Sequence, residues 1–297
     1  MTTNLKTIQD FTRFAMTEFE KQGVTLGHGA EDFWQEATFL VLRSLNLPFD
    51  RLESFWEAHL TEEECALLLK RIHARTIEKV PTAYILGEAW LMGMKFRVNE
   101  NVLIPRSFIA ELLENGLSPW IHNAEKVNSV LDMCTGSGCL AIMAKDAFPN
   151  ATVVGADISP KALEVARKNV SDYGLTDEVE IVESNAFANL GDRRFEVIIC
   201  NPPYVTKEAM EKLPSEYRKE PLIALDAGED GMDFLKNFIP ELSKHLVPNG
   251  EAYIEIGDGK EAFEALWPRL SVMWLETSGG DSMVFRVTRE DLKGAGL

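Results

Sequence analysis

Residues 127–148 read Val-Asn-Ser-Val-Leu-Asp-Met-Cys-Thr-Gly-Ser-Gly-Cys-Leu-Ala-Ile-Met-Ala-Lys-Asp-Ala-Phe. The stretch to Thr135 predicts a buried strand, and Cys139 to Phe148 predicts a helix. Between them, Gly136 and Gly138 permit a tight turn and let a ligand approach the main chain closely. The start of the helix presents N–H groups with no intrahelical partner. The same strand-and-helix alternation continues downstream. TVVGAD (152–157), VEIVES (179–184), FEVIIC (195–200) and GEAYIEIG (250–257) read as strands. Residues 159–174 read as a helix with Ser159 as N-cap and Pro160 at its first position, and 231–246 as another. VMWLE (272–276) and SMVFRVT (282–288) supply the last two strands. Repeated βα units with apolar strands predict an α/β fold, a seven-stranded, mostly parallel and doubly wound sheet.

Upstream, the pattern changes near residue 81. Ile8, Phe11, Ala15 and Phe19 recur at helical spacing, with Gly23 as a stop. Asp32 to Leu45 fits a second helix, ended by Pro48. Thr61 and Glu64 stand in capping-box spacing before a third, with Cys65, Leu68, Leu69 and Ile72 on one side. Residues 1–80 therefore form a small helical domain. Residues 81–108 form a connector, in which Gly87, Gly93 and the turn at Asn99–Asn101 punctuate a β-hairpin or extended segment. The α/β domain occupies 109–297.

The chain has 297 residues, 45% of them hydrophobic and 26% charged, ordinary for a soluble globular protein. No apolar run reaches the ~18–20 residues needed to span a bilayer. The opening MTTNLKTIQDFTRF has no basic segment followed by an apolar one, so an intracellular, cytoplasmic protein is expected. Cys65, Cys134, Cys139 and Cys200 make no C-x-x-C pair, and no histidine stands near them at zinc spacing, so neither a disulfide nor a metal is implied. Cys134 and Cys200 lie in apolar runs and read as buried thiols. Thirty basic and 47 acidic residues give a net charge of −17. That field disfavours nucleic acid. It serves solubility, and it favours encounter with a basic partner.

The glycine loop differs from a dinucleotide fingerprint. Ala141 stands where a third glycine would be, and Asp132 precedes the loop, where it would crowd a pyrophosphate but suits a cationic amino-acid moiety. Asp157 ends the second strand about 20 residues after the glycines, the position of a ribose-binding acid. Asn185 follows the next strand and can edge an adenine. Phe187 reads equally as an adenine contact or as core. Asn201-Pro202-Pro203-Tyr204 directly follows FEVIIC. Two prolines fix two φ angles and restrict the residue before each, so this turn at a strand's carboxyl end is stiff. An amide or aromatic amine nitrogen is a poor nucleophile. The Asn201 side-chain oxygen and the Pro202 carbonyl can accept its two hydrogens, orienting it and stabilising the charge that grows on it. Tyr204 can lay its ring on a flat target group.

LDMCTGSGCLAI (131–142), VVGADISPKALEVARKN (153–169) and ICNPPYV (199–205) together resemble the class I, Rossmann-like methyltransferases that modify glutamine side-chain amides. YILGEAWLMGMKFRVNENVLIPR (84–106), YRKEP (217–221) and GEDGMDFL (228–235) extend the resemblance over nearly the whole chain. CTGSGC, TIQDFTRFA (7–15), GHGAEDFWQEA (27–37), LNLPFD (45–50) and WLETSGGDSMVF (274–285) resemble the branch that acts on ribosomal protein three of the large subunit. With the reading of the residues, this implies S-adenosylmethionine as cofactor, held by Asp132, Cys134, Thr135, Gly136, Ser137, Gly138, Asp157, Ile158, Asn185, Ala186, Phe187 and Asn201. Catalysis falls to Asn201, Pro202, Pro203 and Tyr204, and the substrate is a basic ribosomal protein. The family usually carries an acid where Asn185 stands; an asparagine oxygen can still accept the adenine amino hydrogen. His28 matches the family without an assignable chemical role. Release-factor methylation uses the same reaction. DNA adenine methylation shares the Asn-Pro-Pro-Tyr motif but needs base flipping and a basic surface. A non-catalytic assembly protein would not need to keep Asp132, Asp157 and Asn201 intact.

Overall fold

The computed structural model describes residues 4–27 and 29–297; His28 lies outside them. Two compact units emerge, Met1–Glu88 with Pro214–Lys219, and Ala89–Leu213 with Glu220–Leu297.

The first unit holds α1 (Ile8–Lys21), α2 (Phe33–Ser44), α3 (Leu52–Phe55), α4 (Glu62–Thr76) and α5 (Thr82–Leu86). Thr7 with Asp10, and Thr61 with Glu64, form reciprocal capping boxes, and Asp32 caps α2. The helices close on a core that includes Phe11, Phe19, Leu40, Val41 and Leu68. Leu69 does not share the buried side of α4; it is exposed, while Leu68, Ile72 and Arg75 are buried. Arg75 is 1% exposed and donates to Glu36 at 2.6 Å, Glu216 at 3.3 Å and the Thr25 carbonyl at 2.8 Å. The returning segment 214–219 is thereby held by a buried cation shared between two carboxylates.

β1 (Glu88–Leu91) and β2 (Met94–Arg97), at the start of the second unit, pair as a two-stranded sheet. There follow α6 (Ile109–Glu114), β3 (Ser129–Met133), α7 (Cys139–Ala147), β4 (Thr152–Asp157), α8 (Pro160–Asp172), β5 (Val179–Glu183), β6 (Phe195–Cys200), α9 (Lys207–Lys212), α10 (Asp233–Leu242), β7 (Leu246–Glu255), α11 (Lys260–Leu266), β8 (Met273–Thr277), β9 (Gly280–Thr288) and α12 (Arg289–Ala295). The seven-stranded sheet runs β5-β4-β3-β6-β7-β9-β8. β5 through β7 are parallel, and β9 pairs antiparallel with both β7 and β8. Side chains alternate along a strand, so Val197 and Ile199 enter one core and Ile198 and Cys200 the other. Helices cover both faces, which is why β6 reads as a continuous apolar run. After β3 the chain winds outward through β4 and β5, then returns to place β6 on the other side of β3. Ligands of open α/β sheets bind at such a reversal, beyond the strands' carboxyl ends. Among the described residues no helix is long and apolar enough to cross a membrane.

Candidate active site

The reversal point opens into a cleft of about 270 Å³. Cys134 and Gly136 enter it from the end of β3, Asp157 and Ile158 from β4, Asn185 and Ala186 from β5, and Asn201 and Pro203 from β6. Four sequence-distant segments meet because four neighbouring parallel strands end on one edge.

The loop after β3 is shaped from behind. Asp132 is fully buried and does not line the cleft; its Oδ2 accepts from Thr135 Oγ1 at 2.6 Å, and its Oδ1 has no partner among the described residues. Burial pushes its carboxyl up to about 7, against the Thr135 hydroxyl that donates to it. Ser137 is also buried, its hydroxyl without a partner among the described residues, and Thr135 is buried. Gly136 and Gly138 serve different ends. A Cβ at Gly136 would meet only the Cys134 carbonyl at 3.9 Å, so this glycine faces open space. A Cβ at Gly138 would stand 3.2 Å from the Ala166 Cβ; with φ +80°, Gly138 lets α8 pack against the loop and does not line the cleft. Cys134 has φ +62° and reaches the cleft wall as a partly buried residue, while its thiol is turned inward to the buried thiol of Cys200, as the apolar runs around both predict. Asn169, 1% exposed, accepts the Arg97 N–H at 2.7 Å and donates to the Ser137 carbonyl at 2.8 Å, tying β2 to the loop.

Asp157 is aimed by two main-chain amides, Gly136 N–H on Oδ2 and Ser159 N–H on Oδ1, both at 2.9 Å. Burial raises its pKa against those two amides. Each oxygen keeps a second lone pair for a hydroxyl. Ile158, 46% exposed, offers an apolar wall beside it. The Ser184 hydroxyl donates to the Ala186 carbonyl and accepts from the Asn189 N–H, which presents Asn185 and Ala186 with Ala186 at φ +47°.

Phe187 is off this cleft but borders an adjoining hollow that shares Asn185, Ala186 and Phe234 with it. Its ring is buried, stacked on His245 at 4.0 Å and Phe238 at 4.9 Å between ring centres. The aromatic on the cleft wall is Phe234, at the start of α10 and stacked on Phe238 at 5.2 Å. The run GEDGMDFL contained it, but nothing local distinguishes a cleft phenylalanine from a core one. Pro202 is buried behind Asn201 and off the cleft wall, and Tyr204 is turned away from it, its hydroxyl donating to Glu255 Oε1 at 3.1 Å. One further wall went unnoticed in sequence, Asn101 to Leu103 at the end of the turn signal; Pro221, Ile223, Ala224, Asp226 and Ala227, from the segment 205–229 expected to face the substrate, form another. A carboxylate placed for a ribose diol, a glycine wall open to close approach and apolar Ile158 and Phe234 together fit a nucleoside.

Such a nucleoside cleft, at a sheet reversal beside a proline-locked Asn201, defines an α/β methyltransferase. The family model of the Methyltransferase small domain matches residues 111–216. The chain also resembles the hMettl16 catalytic domain solved in complex with the MAT2A 3'UTR hairpin 6, at TM-score 0.50 and 16% identity over 76% of this chain and 81% of that one, a likeness of fold. Ribosomal protein uL3 glutamine methyltransferases of Bordetella pertussis and Neisseria meningitidis serogroup B are each 44% identical to it, over 97% and 98% of this chain and 97% and 95% of theirs. That of Burkholderia pseudomallei is 43% identical over 98% of this chain and 97% of its own. The chain belongs to the ribosomal protein uL3 glutamine methyltransferase family and is an enzyme.

Proposed function

We propose that this enzyme transfers a methyl group from S-adenosylmethionine to the side-chain amide nitrogen of a glutamine in ribosomal protein uL3, in the cytoplasm. The observation that carries the reading is Asn201 on the wall of the same cleft as Asp157 and Gly136, in a chain that aligns almost end to end with enzymes of that name. The cofactor supplies an electrophilic methyl on a sulfonium. Asp157 would hold the ribose hydroxyls, Asn185 the adenine edge, and Ile158 and Phe234 its faces. The Asn201 side-chain oxygen accepts one hydrogen of the substrate NH2. Holding the nitrogen this way removes the entropy of alignment and stabilises the positive charge that grows on it. The proton becomes acidic as the N–C bond forms, so no strong base is required. Net charge −17 favours encounter with a basic ribosomal protein. The helical unit serves recognition in this scheme; it exposes Trp34 and Phe49, and a photo-crosslinker at Trp34 should capture uL3.

The test is direct. Purified enzyme is incubated with isotope-labelled S-adenosylmethionine, unmethylated uL3 and an unmethylated release factor, and the products are read by peptide mass spectrometry. One methyl on one uL3 glutamine is expected. Label confined to the release factor, or absent from both, overturns the assignment.

A further inference from the structure

Glu255 ends β7 as a single acid in the run Ala-Tyr-Ile-Glu-Ile, and is 1% exposed. β6 and β7 run parallel with Cys200 opposite Ile254, which brings Glu255 alongside the Asn201 turn. Its Oε1 accepts the Tyr204 hydroxyl at 3.1 Å, and its Oε2 accepts the Ser107 hydroxyl at 2.6 Å and the Phe108 N–H at 2.9 Å. A Cβ at Gly257 would lie 2.7 and 2.8 Å from two Tyr204 ring carbons, so one face of the ring lies directly against main chain. Arg106, next to Ser107, chelates the buried Glu220 with both bonds at 2.6 Å, just before the cleft residue Pro221. One carboxylate thus joins the proline turn to the segment that begins with the cleft residues Asn101 to Leu103. The sheet already pairs β6 with β7, so the strands do not need this acid. Burial raises its pKa, and three converging donors offset the cost of keeping it inside.

We infer that Glu255 is a positioning residue for methyl transfer, holding Asn201 in place through the phenol of Tyr204. The inference rests on the proposed role of Asn201. Two prolines stiffen the turn internally, Val205 pairs with the 225–227 segment just beyond it, and the Tyr204–Glu255 bond ties the turn's side chain to β7. An acceptor displaced by about 1 Å costs on the order of 100-fold in rate.

Glu255→Leu keeps most of the volume and removes both acceptor oxygens, and Tyr204→Phe removes only the hydroxyl. Both variants and the double are compared with wild type. Binding of S-adenosylhomocysteine is read by calorimetry and methyl transfer to uL3 by single turnover. Each single variant should slow transfer roughly 10- to 100-fold with cofactor-product affinity unchanged, and the double should be no slower than the slower single. Multiplied effects, or affinity falling in step with rate, overturn the inference, because they mark a general structural role. Amide hydrogen exchange in residues 199–206 gives a readout independent of the substrate. It should accelerate in both single variants while β4 is unaffected, and unchanged exchange overturns the positioning role. Should wild type leave uL3 unmethylated, the substrate assignment falls, and the exchange data still decide what Glu255 does to the turn.

Discussion

Gly155→Ala displaces the cofactor loop without altering any group proposed to touch the cofactor. Gly155 lies mid-strand in β4, opposite Asp132 in β3. A Cβ there would stand 2.9 Å from Thr135 Oγ1, 2.9 Å from Ile181 Cδ1 and 3.3 Å from Thr135 Cβ. Ile181 can yield by turning its chain end. Thr135 cannot yield without losing its 2.6 Å bond to the buried Asp132. Overpacking of this size costs about 1–3 kcal/mol, and a hydrogen bond to a buried carboxyl about 1.5–3 kcal/mol. Since relaxation relieves one at the expense of the other, a loss of about 1–3 kcal/mol is expected. A domain stable by about 5–15 kcal/mol still folds. Thr135 is followed by Gly136, whose N–H aims Asp157, so displacement should weaken S-adenosylhomocysteine binding about 10-fold, the worth of roughly one hydrogen bond. Urea unfolding and calorimetric titration measure the two effects. Ile181→Val in the same background removes only the Cδ1 contact, and should restore part of the stability and none of the affinity. Wild-type affinity in Gly155→Ala, or its full restoration by Ile181→Val, would refute the argument.

Asn201→Ala should leave cofactor binding intact and cut single-turnover transfer by ~100-fold or more, the scale of losing one transition-state acceptor; a fully active variant ends the mechanism proposed for the turn. Phe234→Ala should lower S-adenosylhomocysteine affinity about 10-fold, whereas Phe187→Ala should cost about 3–5 kcal/mol in urea unfolding with little change in affinity; reversed outcomes would return the adenine contact to Phe187. Arg75→Ala leaves Glu36 and Glu216 without their buried cation and should destabilise the protein by about 3–5 kcal/mol, read by urea unfolding. Asp132, raised by burial from 3.8 to about 7, favours the folded state while protonated; that contribution is complete below about pH 4 and lost as pH rises through about 7. Asp132→Asn keeps an acceptor for Thr135, so its unfolding free energy should gain on wild type by up to ~1.4 kcal/mol per pH unit across that window; parallel pH profiles would contradict the buried-acid reading.

The long elements were legible because their signals are local. Ile8, Phe11, Ala15 and Phe19 mark a helical face in chain order, Ser159-Pro160 marks a helix start, and FEVIIC is too apolar for a strand with a wet face. The helices α3, α5, α6, α9, α11 and α12 were not foreseen, and α5 turns Tyr84–Leu86 helical where an extended connector was expected; at four to seven residues they hold fewer than two turns, too little for a period to show. Leu69 was misplaced for a related reason, since successive residues lie about 100° apart around a helix and one face cannot hold both Leu68 and Leu69 at its centre.

Residue chemistry alone determined the class of reaction: Asn201 between apolar strand and double proline, Gly136 after β3 and Asp157 after β4 carry their meaning wherever the sheet sets them. Tertiary structure decided which side chains share the cleft. Phe187 and Phe234 are both aromatic beside apolar neighbours, and only the packing of α10 turns one to the core and the other to the cleft. Asp132 looked like a ligand and lies sealed behind the loop, whereas Glu255 looked like one acid in a strand and holds three donors from segments about 50 and 150 residues away. Burial and long-range hydrogen bonds depend on what the rest of the chain brings alongside, and no window of local sequence contains that.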